Sequence, residues 1–283
     1  MHITRSDLVL EVGSGDKPYP RSDVLLDKYF SDSSEREAKK ALKVDRPLVI
    51  GEVEHLPFRP KSFDYIIASH VLEHAQNPQN FLEELMRVGK RGYIETPLPL
   101  RERINNWSFH RWYVFPKRNK LILIRKTHKS QVFHTQLSAG IRKEYRILEG
   151  KTLLNMKFEW QDRIRYKIFL QEPHKFLNQL DRKLIQMHVL LKKMQSNQQR
   201  LHPVQWLKDT LFPIKFGISQ SLESLDRNRH IRLLSLIVCP QCKKELELRN
   251  DRLLCFSCQV SYHYRKSLPI FTQVRPIRLA KYF

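Results

Sequence analysis

A run of strand-forming residues, Leu8 to Val12, breaks at Gly13-Ser14-Gly15, and this break constrains the chain more than any other feature. Glycine enters backbone conformations that a Cβ disfavours and lets the main chain come close to a ligand. The pattern therefore predicts a buried strand that ends in a tight turn. A second run, Val24-Leu25-Leu26, ends in Asp27, and an acid at that strand end of an open parallel α/β sheet accepts hydrogen bonds from ribose hydroxyls. A nicotinamide dinucleotide fits poorly here. The third glycine of its fingerprint would fall where Pro18 stands, and Asp27 follows Gly13 by fourteen residues instead of about twenty.

Eight residues separate Gly15 from Val24, among them Pro18 and Pro20, too few for a full crossover helix. The first helix is expected to be shortened or replaced by a loop. Ser33 followed by Glu35 to Leu42 predicts a capped, exposed helix, and Leu48-Val49-Ile50 a third strand. That strand runs into Gly51-Glu52-Val53-Glu54-His55-Leu56-Pro57-Phe58, and then Phe63-Asp64-Tyr65-Ile66-Ile67-Ala68-Ser69-His70-Val71-Leu72-Glu73-His74.

Over residues 8 to 97 this series resembles the class I S-adenosylmethionine-dependent methyltransferases, type 11-like. Those enzymes carry an acid after the third strand, Leu-Pro-Phe, Phe-Asp opening the fourth strand and a His or Glu pair beyond it. The resemblance implies that Glu11, Gly13 and Gly15 surround the methionine end of the cofactor and that Asp27 takes the ribose. It further implies that Glu52, where Asp is more usual, accepts a bond from the adenine amino group. The Val53 backbone would hold the ring, and Ser69 would complete the set. A side chain at Gly13 is expected to occupy the cofactor's path. Glu95-Thr96-Pro97, after a fifth strand from Gly92, also recurs in this family. His70, His74, Glu95 and His110 are the candidates for the base that removes the acceptor's proton.

Absence narrows the chemistry. The Asn/Asp-Pro-Pro-aromatic motif of many nucleic-acid N-methyltransferases is missing after the fourth strand, where Ser69-His70-Val71-Leu72 stands. The four cysteines all lie near the chain's end, in Cys239-Pro240-Gln241-Cys242 and Cys255-Phe256-Ser257-Cys258. Two such knuckles supply four thiolates for one structural zinc, which leaves no cysteine as a nucleophile. The acceptor atom is then an oxygen or a simple nitrogen. Leu236 to Pro240, the knuckles and Leu268-Pro269-Ile270-Phe271 together resemble the small zinc-ribbon subunit that activates tRNA, rRNA and release-factor methyltransferases. The alternative is a non-catalytic RNA- or protein-binding scaffold with a degenerate cofactor domain.

From Asn77-Pro78 a helix is expected, with Phe81, Leu82, Leu85 and Met86 on its sheet-facing side. Beyond Pro99, Phe109 to Phe115 and Leu121 to Ile124 read as a hairpin about Pro116 to Asn119. A further strand is expected over Phe158 to Phe169. Residues 173 to 195 carry apolar side chains at helical spacing. Shorter helices are expected around Val204 to Leu211 and Ser219 to Ile231, with Gln195 to Arg200 as a linker.

The fold class expected is α/β, a Rossmann-like sheet with helices on both faces, a basic α+β and helical region, and a small zinc ribbon. The boundaries are 1–170, 171–235 and 236–283. Fourteen basic residues meet sixteen acidic ones before position 98, 28 meet 10 from 98 to 235, and nine meet three thereafter. The excess suits RNA or another polyanion as partner. With no membrane-length apolar run and no signal-peptide core at the N-terminus, a cytoplasmic protein is expected.

Overall fold

A computed structural model describes residues 1–29, 44–105, 107–127, 155–197 and 231–276. The helices expected at 35–42 and 204–211 fall outside these residues, as do all but Ile231 of the one expected at 219–231 and the second half of the linker expected at 195–200, whose first half, Gln195 to Asn197, is helical instead because it continues the preceding helix. The chain forms two compact units. The first comprises Met1–Ile94, Phe158–Ile164 and Arg227–Phe283, the second Glu95–Lys157 and Arg165–Asp226. The C-terminal segment expected as a separate ribbon groups with the first unit because its last strand pairs with an early one.

The first unit is built on a sheet in the order β10-β11-β12-β13-β3-β2-β1-β4-β5-β8. Strands β1 (Val9–Val12), β2 (Val24–Asp27), β3 (Leu48–Ile50) and β4 (Phe63–Ser69) are parallel neighbours where paired, with Leu10 opposite Val24 and Ile66, and Leu26 opposite Val49. Every residue of the first three is buried. A parallel strand covered on both faces is predominantly apolar, which is why these read as short runs interrupted only by Glu11 in β1 and Asp27 at the end of β2. No helix joins β1 to β2, and the prolines stand in the loop there.

Two short 3-10 turns follow β3 and β4, at Val53–His55 and Leu72–His74. Helix α1 (Pro78–Val88) starts with proline in its first turn, and the Asn77 side chain accepts the Asn80 amide. Each device suits the unpaired amides of a helix start. Phe81, Leu82, Leu85 and Val88 are buried, and α1 passes directly into β5 (Gly89–Pro97). The single strand expected over Phe158 to Phe169 is two, β8 (Asn155–Gln161) and β9 (Tyr166–Phe169), with Asp162 at φ +58 between them.

β10 (Glu247–Arg249), β11 (Arg252–Cys255), β12 (Val260–Arg265) and β13 (Leu268–Pro276) form an antiparallel meander. Its last strand runs parallel to β3, with Ile270 opposite Ile50. The ribbon therefore continues the main sheet, and Leu268 and Ile270 pack on Leu25, Leu48 and Ile50.

In the second unit, β6 (Trp112–Lys117), β7 (Lys120–Arg125) and β9 form a three-stranded sheet in that order, after helix α2 (Pro99–Asn105). Tyr113, Ile124, Phe115, Ile122 and Phe169 pack against Phe176 and Leu180 of helix α3 (His174–Asn197). Phe115 and Phe176 stack at 5.7 Å.

Candidate cofactor site and cysteine cluster

β1 has β2 on one side and β4 on the other, so connections leave its carboxyl end in opposite directions. Ligands of open α/β sheets bind at such a switch point. Gly13 and Gly15 stand there at φ +66 and +57, in the left-handed region that favours glycine. The Gly13 amide donates to the Leu26 carbonyl at 2.7 Å, and the Gly15 amide to Asp27 Oδ2 at 3.0 Å. Asp27 Oδ1 accepts the Tyr29 amide at 3.2 Å. The acid ending β2 is thus fastened to the glycine turn. At the exit of β3, Glu52 lies 3.0 Å from Lys28 Nζ, and the Val53 turn begins. Burial acts to lower the Lys28 pKa, but bonds with Glu52 and Tyr29 outweigh it and hold the ammonium above its usual range.

Two residues differ from expectation in what they touch. A Cβ at Gly13 would lie 2.3 Å from Val71 Cγ2, so protein fills that space, whereas one at Gly15 would meet nothing within 4 Å. Gly15 is the residue beside open space. Glu11 is buried, and its Oε2 accepts the Tyr19 amide at 2.7 Å and the Ser22 hydroxyl at 2.5 Å, tying down the turn that replaces the first helix. Burial pushes its carboxyl up to about 7, against the lowering effect of these bonds and of Arg46.

Ser69 closes β4, and His70 follows at φ +56, a costly conformation for a residue other than glycine. His70 Nδ1 lies 3.3 Å from Glu73 Oε1, and His74 ends the same 3-10 turn. Glu95 and His110 belong to the second unit. Asn155 Nδ2 donates to Glu95 Oε1 at 2.7 Å. His110 is buried, with Nδ1 2.6 Å from Glu102 Oε2, and Lys126 Nζ holds the other Glu102 oxygen. The four base candidates are thus divided, two in each unit.

Sequence reading misses Ser14, Lys28 and Val71. The Ser14 hydroxyl is buried with no hydrogen-bond partner among the described residues, and only its place inside the glycine turn could have marked it. Val71 carries no signal at all, since its role is to fill the space over Gly13.

The Sγ atoms of Cys239, Cys242, Cys255 and Cys258 all lie within 4.8 Å of one another, with Cys239 to Cys258 at 3.9 Å and Cys242 to Cys255 at 3.5 Å. A tetrahedron of sulfurs about 2.3 Å from a central zinc has edges of about 3.8 Å, so the set fits such an ion. The Tyr262 hydroxyl lies 3.3 Å from Cys239 Sγ. Beside the first knuckle, Ile237 bridges to Phe58, and Lys243 Nζ donates to Glu84 Oε2 at 2.8 Å. Arg87 binds the same carboxylate and donates to the carbonyls of Leu56 and Phe58. Burial raises the Glu84 carboxyl, but hydrogen bonds from Arg87 and Lys243 outweigh it and hold it below the usual carboxylate range.

Residues 11–94 match the model of a methyltransferase domain family. Over 83 residues the chain is 37% identical to the uncharacterized protein MJ1123 of Methanocaldococcus jannaschii, which is 29% of this chain and 40% of that one. Among solved structures, a chain from the complex of the Haloferax volcanii Trm112 methyltransferase activator with a methyltransferase is similar at 22% identity and TM-score 0.28, covering 35% of this chain and 48% of that one. The PH0226 protein of Pyrococcus horikoshii is similar at 18% identity and TM-score 0.28, covering 41% and 61%. The chain thus spans less than two thirds of each of these proteins. Across residues 11–94, the stretch that holds the glycine turn, Asp27, Glu52 and Ser69, the chain is similar to the methyltransferase domain family.

Proposed function

We propose that the protein is an S-adenosylmethionine-dependent methyltransferase acting on an oxygen or nitrogen nucleophile. The observation that carries this reading is that the family match falls on a left-handed glycine turn fastened to the acid that ends β2. Gly13 and Gly15 would present main chain to the methionine end, Asp27 would hold the ribose, and Glu52 with the Val53 backbone would hold the adenine. Ser69 borders the same strand ends, and Ser14 offers a buried hydroxyl for which a ligand atom would be the missing partner. Glu11 fixes the turn from behind. Bound there, the cofactor supplies a methyl group on a sulfonium, an electrophile that needs no metal. The chain's own work is to orient that group, exclude water and take up the acceptor's proton. His70 and His74 on the first unit, or Glu95 and His110 on the second, are the groups for that proton.

The cysteine cluster is proposed to hold structural zinc, supported by its sulfur spacing and by the Tyr262 contact. The ribbon then acts as a built-in counterpart of the activator subunit it resembles, since its β13 completes the edge at β3 and its knuckle is tied to Glu84. The acceptor is sought among polyanions, RNA first, in a cytoplasmic setting where thiols stay reduced. Among the described residues no helix is long and apolar enough to cross a membrane.

Calorimetry with S-adenosylmethionine and with NAD tests the cofactor assignment. S-adenosylmethionine should bind at one site per chain and NAD should not. A folded, metal-loaded protein that binds neither would leave the scaffold reading in its place. Transfer of labelled methyl into fractionated cell extract then identifies the acceptor class.

A further inference from the structure

We infer that the rim of the three-stranded sheet, at the β6–β7 turn and the start of β9, is a docking surface for single-stranded RNA. Lys117 stands directly opposite Lys120 across the two strands. Arg165, whose carbonyl accepts the Leu121 amide at 2.8 Å, comes next to Lys120 on the far side, and Arg118 projects from the turn between. All four are exposed. Adjacent strands are about 4.8 Å apart, so Lys117, Lys120 and Arg165 form a row of like charges within about 10 Å.

Such a row is unfavourable for folding alone. Like charges directly opposite each other on neighbouring strands repel. The turn itself places Arg118 at φ +47 and Asn119 at φ +59, in a two-residue loop where glycine or asparagine is the favoured choice at both central positions. None of these four cations makes an ion pair among the described residues. Other cations of the chain, such as Arg21, Arg87 and Lys243 in the first unit and Arg103 and Lys126 in the second, each face a carboxylate within 4 Å.

A line of cations a strand apart matches a linear polyanion better than a single small anion. RNA fits better than a lipid surface, because residues 115–120 and 165–167 include no exposed large apolar side chain that would enter a bilayer. Lys167 already lies over the Phe169 ring at 4.8 Å, so it is left out of the set. The inference concerns the acceptor side of the proposed reaction and rests on that reading only for its purpose; the binding itself does not depend on methyl transfer.

The test is fluorescence anisotropy of the full chain with a labelled single-stranded 20-mer RNA at stepped salt. Each phosphate contact contributes about −0.7 to the slope of log affinity against log salt. The variant K117Q/R118Q/K120Q/R165Q should lower affinity at least tenfold and flatten the slope by about 2 to 3. The milder K117Q/K120Q, which relieves a repulsion and leaves the turn intact, should flatten it by about 1.4. Replacing exposed Lys175, Arg182 and Lys183 on α3 by glutamine should change the slope by less than either. Calorimetry with S-adenosylmethionine on each variant reports separately on the cofactor reading. Wild-type affinity and slope in the fourfold variant would overturn the assignment, as would equal losses from the α3 variant. Binding of phosphatidylserine vesicles without binding of RNA would overturn it in favour of a membrane surface.

Discussion

Glu11 makes the protein's stability depend on pH in a direction opposite to that of most carboxylates. The residue is 5% exposed, and burial raises its pKa from 4.5 to about 7, with bonds from Ser22 and Tyr19 offsetting only part of that cost. An acid whose folded value lies above its unfolded value binds its proton more tightly in the folded state. The cost of ionising it is absent below 4.5, grows as pH rises from 4.5 to 7, and is complete above 7. A difference of 2.5 between these values corresponds to about 3 kcal/mol at 1.36 kcal/mol for each. Glu11→Gln keeps an oxygen that can accept from Tyr19 and Ser22 but cannot ionise. Urea denaturation of both proteins at half-unit steps from pH 4.5 to 8 should therefore show the variant gaining on wild type by about 3 kcal/mol across the window. Parallel stability curves would refute the reasoning, because they would mean that Glu11 is solvated or paired in the folded state.

Gly13→Ala should destabilise by about 2 to 5 kcal/mol, combining left-handed strain with the collision at Val71, and Gly15→Ala by about 1 to 2 kcal/mol from strain alone. Adding Val71→Ala to the former should return the collision part; equal losses at the two glycines in chemical denaturation would contradict the geometry. Lys243→Met should cost about 1.5 to 3 kcal/mol by leaving Glu84 with Arg87 alone. Because the folded Glu84 pKa is lowered, its stabilisation is present above the unfolded value and lost as pH falls through the folded one, so the variant's acid limb should be shallower than wild type's. Cys239→Ser or Cys255→Ser should abolish metal retention, worth about 10 to 16 kcal/mol in apparent binding energy for small zinc domains, and should open β10 to β13 to hydrogen exchange. Mass spectrometry of the intact protein reads the metal: iron in place of zinc would overturn the ion, and full protection without metal would overturn its structural role.

Much of the fold is legible in the residues. β1 to β4 are found because strands buried on both faces of a parallel sheet are predominantly apolar, with acids such as Glu11, Asp27 and Asp64 the exceptions, and the turns between them because glycine and proline restrict or free the backbone locally. The cysteine set is found because two Cys-x-x-Cys knuckles each bring two thiols onto one short turn. Each of these is a local constraint, written within a few residues of where it acts.

What the tertiary structure alone decides are the pairings between distant segments. Any apolar strand can satisfy an open sheet edge with backbone hydrogen bonds, so nothing in Leu268-Pro269-Ile270 says that it joins β3. Lys243 and Glu84 lie 159 positions apart, and neither carries a mark of the other. That Glu11 accepts the Ser22 hydroxyl, that Gly13 lies under Val71, and that Lys117, Lys120 and Arg165 line up in one row all follow from strand register and chain direction. These are fixed by the packing of the whole molecule, because the side chains involved meet only after the sheet has formed.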